Sequence, residues 1–79
     1  MELEVQMALV EGRISLLRKR EDYYRKLVRS QAFGKRDRTN WKRNMELLRA
    51  ASRDLSYLRS YYLHLQSQQI NHFIQNLLK

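Results

Sequence analysis

Residues 32–41 read AFGKRDRTNW, and this stretch separates two segments whose apolar residues recur at helical spacing. Gly34 is one of only two glycines in the chain. It stands where a helix commonly ends, because glycine adopts the left-handed conformation without steric cost. Thr39 or Asn40 can cap a following helix by accepting hydrogen bonds from its first free N–H groups. The stretch therefore predicts a basic turn over residues 34–39, short enough for two helices to fold back on one another.

Apolar periodicity on either side of this turn predicts helix 1 over about residues 2–33 and helix 2 over about residues 40–78. In both segments apolar residues follow one another mostly at intervals of three and four, and in helix 1 Glu21 interrupts them. This first seam comprises Leu3, Met7, Val10, Ile14, Leu17, Tyr24 and Val28 in helix 1, with Trp41, Leu48, Ala51, Leu55, Leu58, Tyr62 and Leu65 in helix 2. The pattern then slips by one residue and resumes at Ile70, as an inserted step in a coiled-coil register does.

A second apolar stripe lies off the first seam on each helix. It comprises Leu9, Leu16 and Tyr23 in helix 1, with Leu47, Tyr57 and Tyr61 in helix 2. One stripe closes a hairpin and the second needs another cover, which a second copy supplies most simply by forming a four-helix bundle. The alternative is a single hairpin with exposed tyrosines. The predicted oligomer or partner interface consists of Leu9, Leu16, Tyr23, Tyr57, Tyr61, Ile70, Phe73 and Leu77.

Together these patterns predict an all-α fold. Residues 1–79 should form a single domain, an antiparallel two-helix hairpin that resembles a coiled coil and dimerises into a four-helix bundle. A chain of 79 residues buries only a modest core by itself. Association is a common way for such small domains to gain stability.

The net charge of +8 is concentrated in the middle of the sequence. Residues 1–12 carry three glutamates and no base, residues 13–59 carry fifteen bases and five acids, and residues 60–79 carry only Lys79. A basic segment of this density favours polyanions, with nucleic acid first, an anionic membrane surface second and an acidic protein third. The alternative is a solvated surface that keeps a small helical protein in solution.

The absence of cysteine removes disulfides and thiolate metal sites, and it points to a reducing compartment. We therefore expect an intracellular location, cytoplasmic or nuclear. No run approaches the roughly 20 apolar residues of a membrane span. The acidic start of the chain also differs from a signal peptide, which begins with a basic segment.

No motif indicates catalysis or a cofactor. His64 and His72 lie eight residues apart, which is not the spacing that brings two metal ligands onto one helical face. Glu21 and Asp54 lie beside arginines at the seam, where such pairs more often fix register than form an active site. We expect a non-enzymatic protein without cofactor or metal.

The basic residues form rows along both predicted helices and join at the turn. Arginine outnumbers lysine, and its planar guanidinium suits phosphate pairing. Such rows predict contacts with the phosphate backbone of nucleic acid, independent of sequence, with duplex RNA preferred through its shape and 2′-hydroxyls. The predicted nucleic-acid-binding residues are Arg18, Lys19, Arg25, Lys26, Arg29, Lys35, Arg36, Arg38, Lys42, Arg49 and Arg53.

In size, charge and architecture, a dimer of such basic hairpins resembles the small dimeric helical silencing suppressors of nodaviruses. Those proteins lay paired basic helices along an RNA duplex. The resemblance implies a double-stranded RNA-binding homodimer, and it rests on the plan of the molecule rather than on a shared motif.

The main alternative function is a coiled-coil scaffold or adaptor that docks a protein partner through the apolar end of helix 2. Residues 61–78 carry no charge apart from any on histidine, and helix 1 is too short to cover their last turns. The adaptor hypothesis predicts that Phe73 and Leu77 are exposed in the isolated protein. The nucleic-acid hypothesis predicts one exposed surface, free of acids, that carries Arg18, Arg25, Arg49 and Arg53. A third hypothesis is association with a membrane surface. It requires apolar helix faces that are better used as packing surfaces within the bundle.

Overall fold

The structure is a computed structural model that describes residues 2–32 and 38–79, leaving aside the side chains of Gln31 and Ala32. It contains two α-helices, α1 (Leu3–Ala32) and α2 (Arg38–Leu77), and the described residues include no β-strand. The helices pack against each other along a rod of 66 × 16 × 15 Å. The prediction of an all-α antiparallel helical hairpin is confirmed.

The helix ends differ slightly from the predicted ones. α2 begins at Arg38, so Thr39 lies in its first turn and not ahead of it. The sequence offers several residues able to cap a helix at this point, and local preference alone does not choose among them. The predicted C-terminal cap at Gly34 and most of the predicted turn lie outside the described residues.

The core is the first seam, and its centre lies midway along α2. Leu55 and Leu65 are each 2% exposed, and the small side chain of Ala51 is also buried. From α1, Met7 and Leu17 complete the buried set. The i, i+3 and i+4 spacing that predicts the helices therefore also supplies the packing that stabilises them, because helices of this kind gain most of their stability from an apolar face.

Two hydrogen bonds between the helices define the register. The Ser52 hydroxyl donates to Glu21, and the Tyr62 hydroxyl donates to Glu11. Because the helices are antiparallel, each step forward along α1 is a step back along α2, and the start of α1 therefore lies opposite Ile70.

α2 consequently extends beyond the start of α1. We call residues 71–79 the tail, and every residue in it is exposed. Burial along the seam ends at Leu65, since Phe73 and Leu77 are 64% and 69% exposed. The slip in the apolar pattern thus coincides with the place where α2 loses its neighbour.

Candidate nucleic-acid interface

A groove between the two helices brings basic residues together from distant parts of the sequence. Arg18 of α1 and Arg59 of α2 line it, with a volume of about 570 Å³ between the walls. The remaining lining residues are Glu11, Ile14, Ser15, Tyr62, Leu63 and Gln66. We call this feature the basic groove. Its two guanidinium groups come from opposite walls, so an anionic group lying along the groove can meet both.

The predicted basic row of α1 continues the same side of the hairpin. Arg18, Arg25 and Arg29 are separated by seven and four residues, which places them on one side of a helix. On α2, Lys42, Arg49 and Arg53 repeat the same spacing. Arg59 lies outside that spacing.

Three of the predicted contacts are paired with acids inside the hairpin. Arg25 Nη2 lies 3.1 Å from Glu21 Oε1, and Lys26 Nζ lies 3.0 Å from Asp22 Oδ2. Arg53 Nε lies 3.9 Å from the neighbouring carboxylate of Asp54. These pairs count against the expectation of a surface free of acids, and they weaken Arg25 and Arg53 as phosphate contacts.

Other basic side chains have no acid at ion-pair distance within the part of the chain that the structure describes. They are Arg13, Arg18, Lys19, Arg20, Arg29, Arg38, Lys42, Arg43, Arg49, Arg59 and Lys79, and all are exposed. Arg49 shares a shallow depression with Glu46, without an ion pair between them. Lys35 and Arg36 lie outside the described residues. The cations available to a polyanion therefore include only part of the predicted set, together with Arg13, Arg20, Arg43, Arg59 and Lys79, of which Arg59 lines the basic groove.

Sequence reasoning missed Arg59 because a single helix gives no reason to join it to the α1 row. Its role depends on the register, which brings residue 59 across from Ile14, one turn before Arg18, so that both arginines line the same groove. The sequence could have indicated Arg59 if the antiparallel pairing had been applied to every basic residue of α2, and not only to those that form a row.

A hydrogen bond between the helices crosses the basic groove. Tyr62 Oη donates to Glu11 Oε1 across 2.5 Å. This bond, with smaller contributions from desolvation and from the negative charge of Glu11, raises the pKa of the Tyr62 phenol above its ordinary 10.0. The carboxylate of Glu11 is thus engaged with the phenol, although its charge still tempers the positive field of the groove.

Glu21, the residue that interrupts the apolar seam, makes two bonds at that position. Its Oε2 accepts from Ser52 Oγ at 2.8 Å, and its Oε1 accepts from Arg25 Nη2 at 3.1 Å. Only 17% of its side chain is exposed. The carboxylate is therefore a structural link across the seam, since both of its oxygens are occupied by residues of the hairpin.

The second apolar stripe forms a face on the other side of the seam. Leu16 and Tyr57 line one groove there, together with Arg13, Arg20 and Asp54. We call the stripe residues the apolar face: Leu9, Leu16, Tyr23, Leu47, Tyr57 and Tyr61, all exposed. Every predicted interface residue is thus accessible to a partner in the isolated hairpin.

Comparisons with protein families, with curated proteins and with solved structures found no match to this chain. Within residues 2–32 and 38–79, no group of three or more metal-ligating side chains is brought together. Neither described helix contains an apolar stretch of the length and hydropathy that crossing a membrane requires.

Proposed function

We propose that this chain is a non-enzymatic helical dimer that binds the phosphate backbone of nucleic acid, with duplex RNA preferred. The observation that carries the proposal is the basic groove, which Arg18 and Arg59 line from two helices with no acid at ion-pair distance among the described residues. Ion pairing within a hairpin would be enough to explain basic residues on its surface. Unpaired guanidinium groups on both walls of one groove suit an external anion better.

The chemistry of the available side chains fits phosphate. A guanidinium group donates two parallel hydrogen bonds to phosphate oxygens, and neutralising phosphates releases condensed counterions. Arg29 extends the α1 wall beyond Arg18 by three turns of helix, roughly 16 Å at about 5.4 Å per turn. A row of that length reaches several successive phosphates of a duplex, which favours a double strand over an isolated anion.

The dimer in this proposal forms through the apolar face. Val5, Leu9, Gly12 and Leu16 follow one another at intervals of four, three and four residues, as in the seam of a coiled coil. A side-chain carbon added at Gly12 would meet nothing within 4 Å, so a helix of a second copy has room to approach there. Because the apolar face and the basic groove lie on different sides of the hairpin, pairing by the first leaves the second open.

A titration of labelled duplex RNA, duplex DNA and single strands at two salt concentrations tests the proposal. We expect tight binding to duplex RNA that weakens steeply with salt. The double variant Arg18→Gln/Arg59→Gln should lower the slope of log K against log salt by about 2, or about one unit for each lost phosphate contact.

The matched control is Arg25→Gln/Lys26→Gln, which removes the same charge from side chains already paired with acids. It should change the slope by less than the Arg18/Arg59 variant does. Equal effects of the two variants would show that only net charge matters. Weak and equal binding of all the polymers would reject nucleic acid as the ligand.

A second candidate function is the protein scaffold that docks a partner through the end of α2. The exposure of Phe73 and Leu77 favours it, because large apolar side chains rarely lie bare on adjacent turns without a partner. In this case the titration above gives no specific binding, and substitution of these two residues abolishes assembly with the partner.

A further inference from the structure

The tail presents the side of α2 that faces α1 along the rest of the hairpin. Phe73 lies eleven residues after Tyr62, which bonds to α1, and Leu77 lies eleven residues after the half-buried Gln66. Eleven residues make about three full turns, so each pair points in the same direction. Beyond Leu3 none of the described residues 2–32 and 38–79 covers this side of α2, since every tail residue is exposed. What covers the tail must therefore take the place of a helix alongside α2.

The tail also limits the charge of its partner. Between Arg59 and Lys79 the chain contains no lysine, arginine, aspartate or glutamate. A basic or acidic helix would find no opposite charge to pair with in this segment. The surface suits an apolar helix without charge, about nine residues or 13 Å long.

We propose that the tail of a second copy of this chain fills that place, so that two hairpins join end to end through antiparallel tails. The tail is complementary to itself, as a two-fold interface requires. With the axis at the level of Gln75, Phe73 of one copy lies opposite the partner's Leu77, and the reverse contact repeats it. The short apolar stripe of each copy is then covered by the stripe of the other.

Charge favours this arrangement over others that would cover the tail. Joining at the tails keeps the basic segments of residues 13–59 far apart, since Arg59 lies about 24 Å along the helix from Gln75. That distance exceeds the Debye length of about 8 Å at physiological salt, so repulsion between the copies is screened. The same arrangement brings Lys79 of one copy towards the acidic start of the other, which carries Glu2 and Glu4.

This inference deepens the second candidate function by naming the partner, and it is independent of nucleic-acid binding. It also uses a surface distinct from the apolar face. A chain with two separate self-association surfaces forms an extended assembly, because each two-fold contact leaves the other surface free.

The experiment isolates the tail contact by first disabling the apolar face. The host protein carries Leu16→Ser and Tyr57→Ser, both at exposed positions. A tail variant adds Phe73→Ser and Leu77→Ser, and a matched control adds His72→Ser and Gln75→Ser. Sedimentation velocity gives the mass of each protein, small-angle scattering gives its length, and circular dichroism verifies that helix content is unchanged.

We expect the host and the matched control to form a dimer about 120 Å long, since two rods share the length of one tail. The tail variant should be a monomer with the 66 Å length of one hairpin. In the otherwise native chain, the same tail substitutions should remove the assembly with the greatest length in solution. This provides a second measurement of the tail contact if the host protein is poorly folded.

Four results would overturn the inference. The host and the native chain could be free of tail-dependent association at every concentration. The tail variant could keep the dimer. The host dimer could be no longer than one hairpin, which indicates side-by-side packing. A monomeric host whose tail binds a different polypeptide also overturns it, in favour of a foreign partner. None of these measurements involves RNA, so failure here leaves the basic groove untouched.

Discussion

Glu21 provides a direct test of how the seam is held together, because its two carboxylate oxygens bind residues of very different kinds. One bond crosses to Ser52 of α2 at 2.8 Å, and the other reaches Arg25 one turn further along α1 at 3.1 Å. The Ser52 bond is partly buried, whereas 47% of the Arg25 side chain is exposed. We expect the bond between helices to stabilise the hairpin more than the ion pair does.

The magnitudes follow from these environments. A hydrogen bond to a charged group contributes about 1.5–3 kcal/mol, and partial exposure places the Glu21–Ser52 coupling near the lower end, at about 1–2 kcal/mol. An exposed i, i+4 ion pair contributes only about 0.3–0.5 kcal/mol. A chain of this size has a free energy of unfolding of about 4–12 kcal/mol, so the larger coupling should be readily measurable.

Two double-mutant cycles measure the couplings. The first combines Glu21→Ala with Ser52→Ala, and the second combines Glu21→Ala with Arg25→Ala. Urea denaturation followed by helical circular dichroism gives the free energy of unfolding, at one protein concentration because self-association changes apparent stability. The cycles cancel the separate effects of each substitution on helix propensity. An Arg25 coupling equal to or larger than the Ser52 coupling would refute the reasoning.

Substitutions at three further positions, Leu55, Tyr62 and Trp41, test other parts of the hairpin. Leu55→Ala should lower the free energy of unfolding by about 2–5 kcal/mol in urea denaturation, whereas Leu63→Ala, at an exposed position, should change it by less than about 1 kcal/mol. Because Glu11 raises the folded-state pKa of Tyr62 above 10.0, stability from their bond is fully present below that pH and is lost as the pH rises through the raised pKa. The urea concentration at the midpoint of unfolding should therefore decrease for the native chain as the pH rises through that alkaline range. It should decrease by less for Tyr62→Phe. Among the described residues, the buried indole Nε1 of Trp41 has no hydrogen-bond partner, so Trp41→Phe should cost much less stability than Trp41→Ala, and equal costs would contradict this.

The helices themselves were predictable because the signal for them is local. Spacing of three and four residues identified both segments and the residues that line the core, including Leu55 and Leu65. The N-terminal start of α2 was less predictable. Thr39 or Asn40 was expected to cap the helix, yet both lie inside its first turn, since neighbouring polar residues compete equally well as caps.

The candidate site was predicted only in part. The rows of basic residues on each helix follow from their spacing. Whether a basic side chain can bind an external anion depends on whether an acidic side chain already pairs with it. Arg25 was expected to face an external anion, and it is instead paired with Glu21. Arg18 remains without such a partner, although it belongs to the same row.

The sequence by itself determined the class of structure and the sign of the charge. Periodicity and the lack of proline produce two amphipathic helices, and the bases between residues 13 and 59 make the middle of the sequence strongly positive. These are properties of the chain that hold for any pairing of the two helices.

Only the tertiary structure decided which residues meet. The antiparallel register places Arg59 across from Ile14, one turn before Arg18, and it places the start of α1 opposite Ile70, which leaves the tail exposed. Register is a non-local property, set by how the whole seam and the bonds of Glu11 and Glu21 fit together. A local pattern fixes the direction in which each side chain points, while the partner in that direction depends on residues several turns away in the other helix.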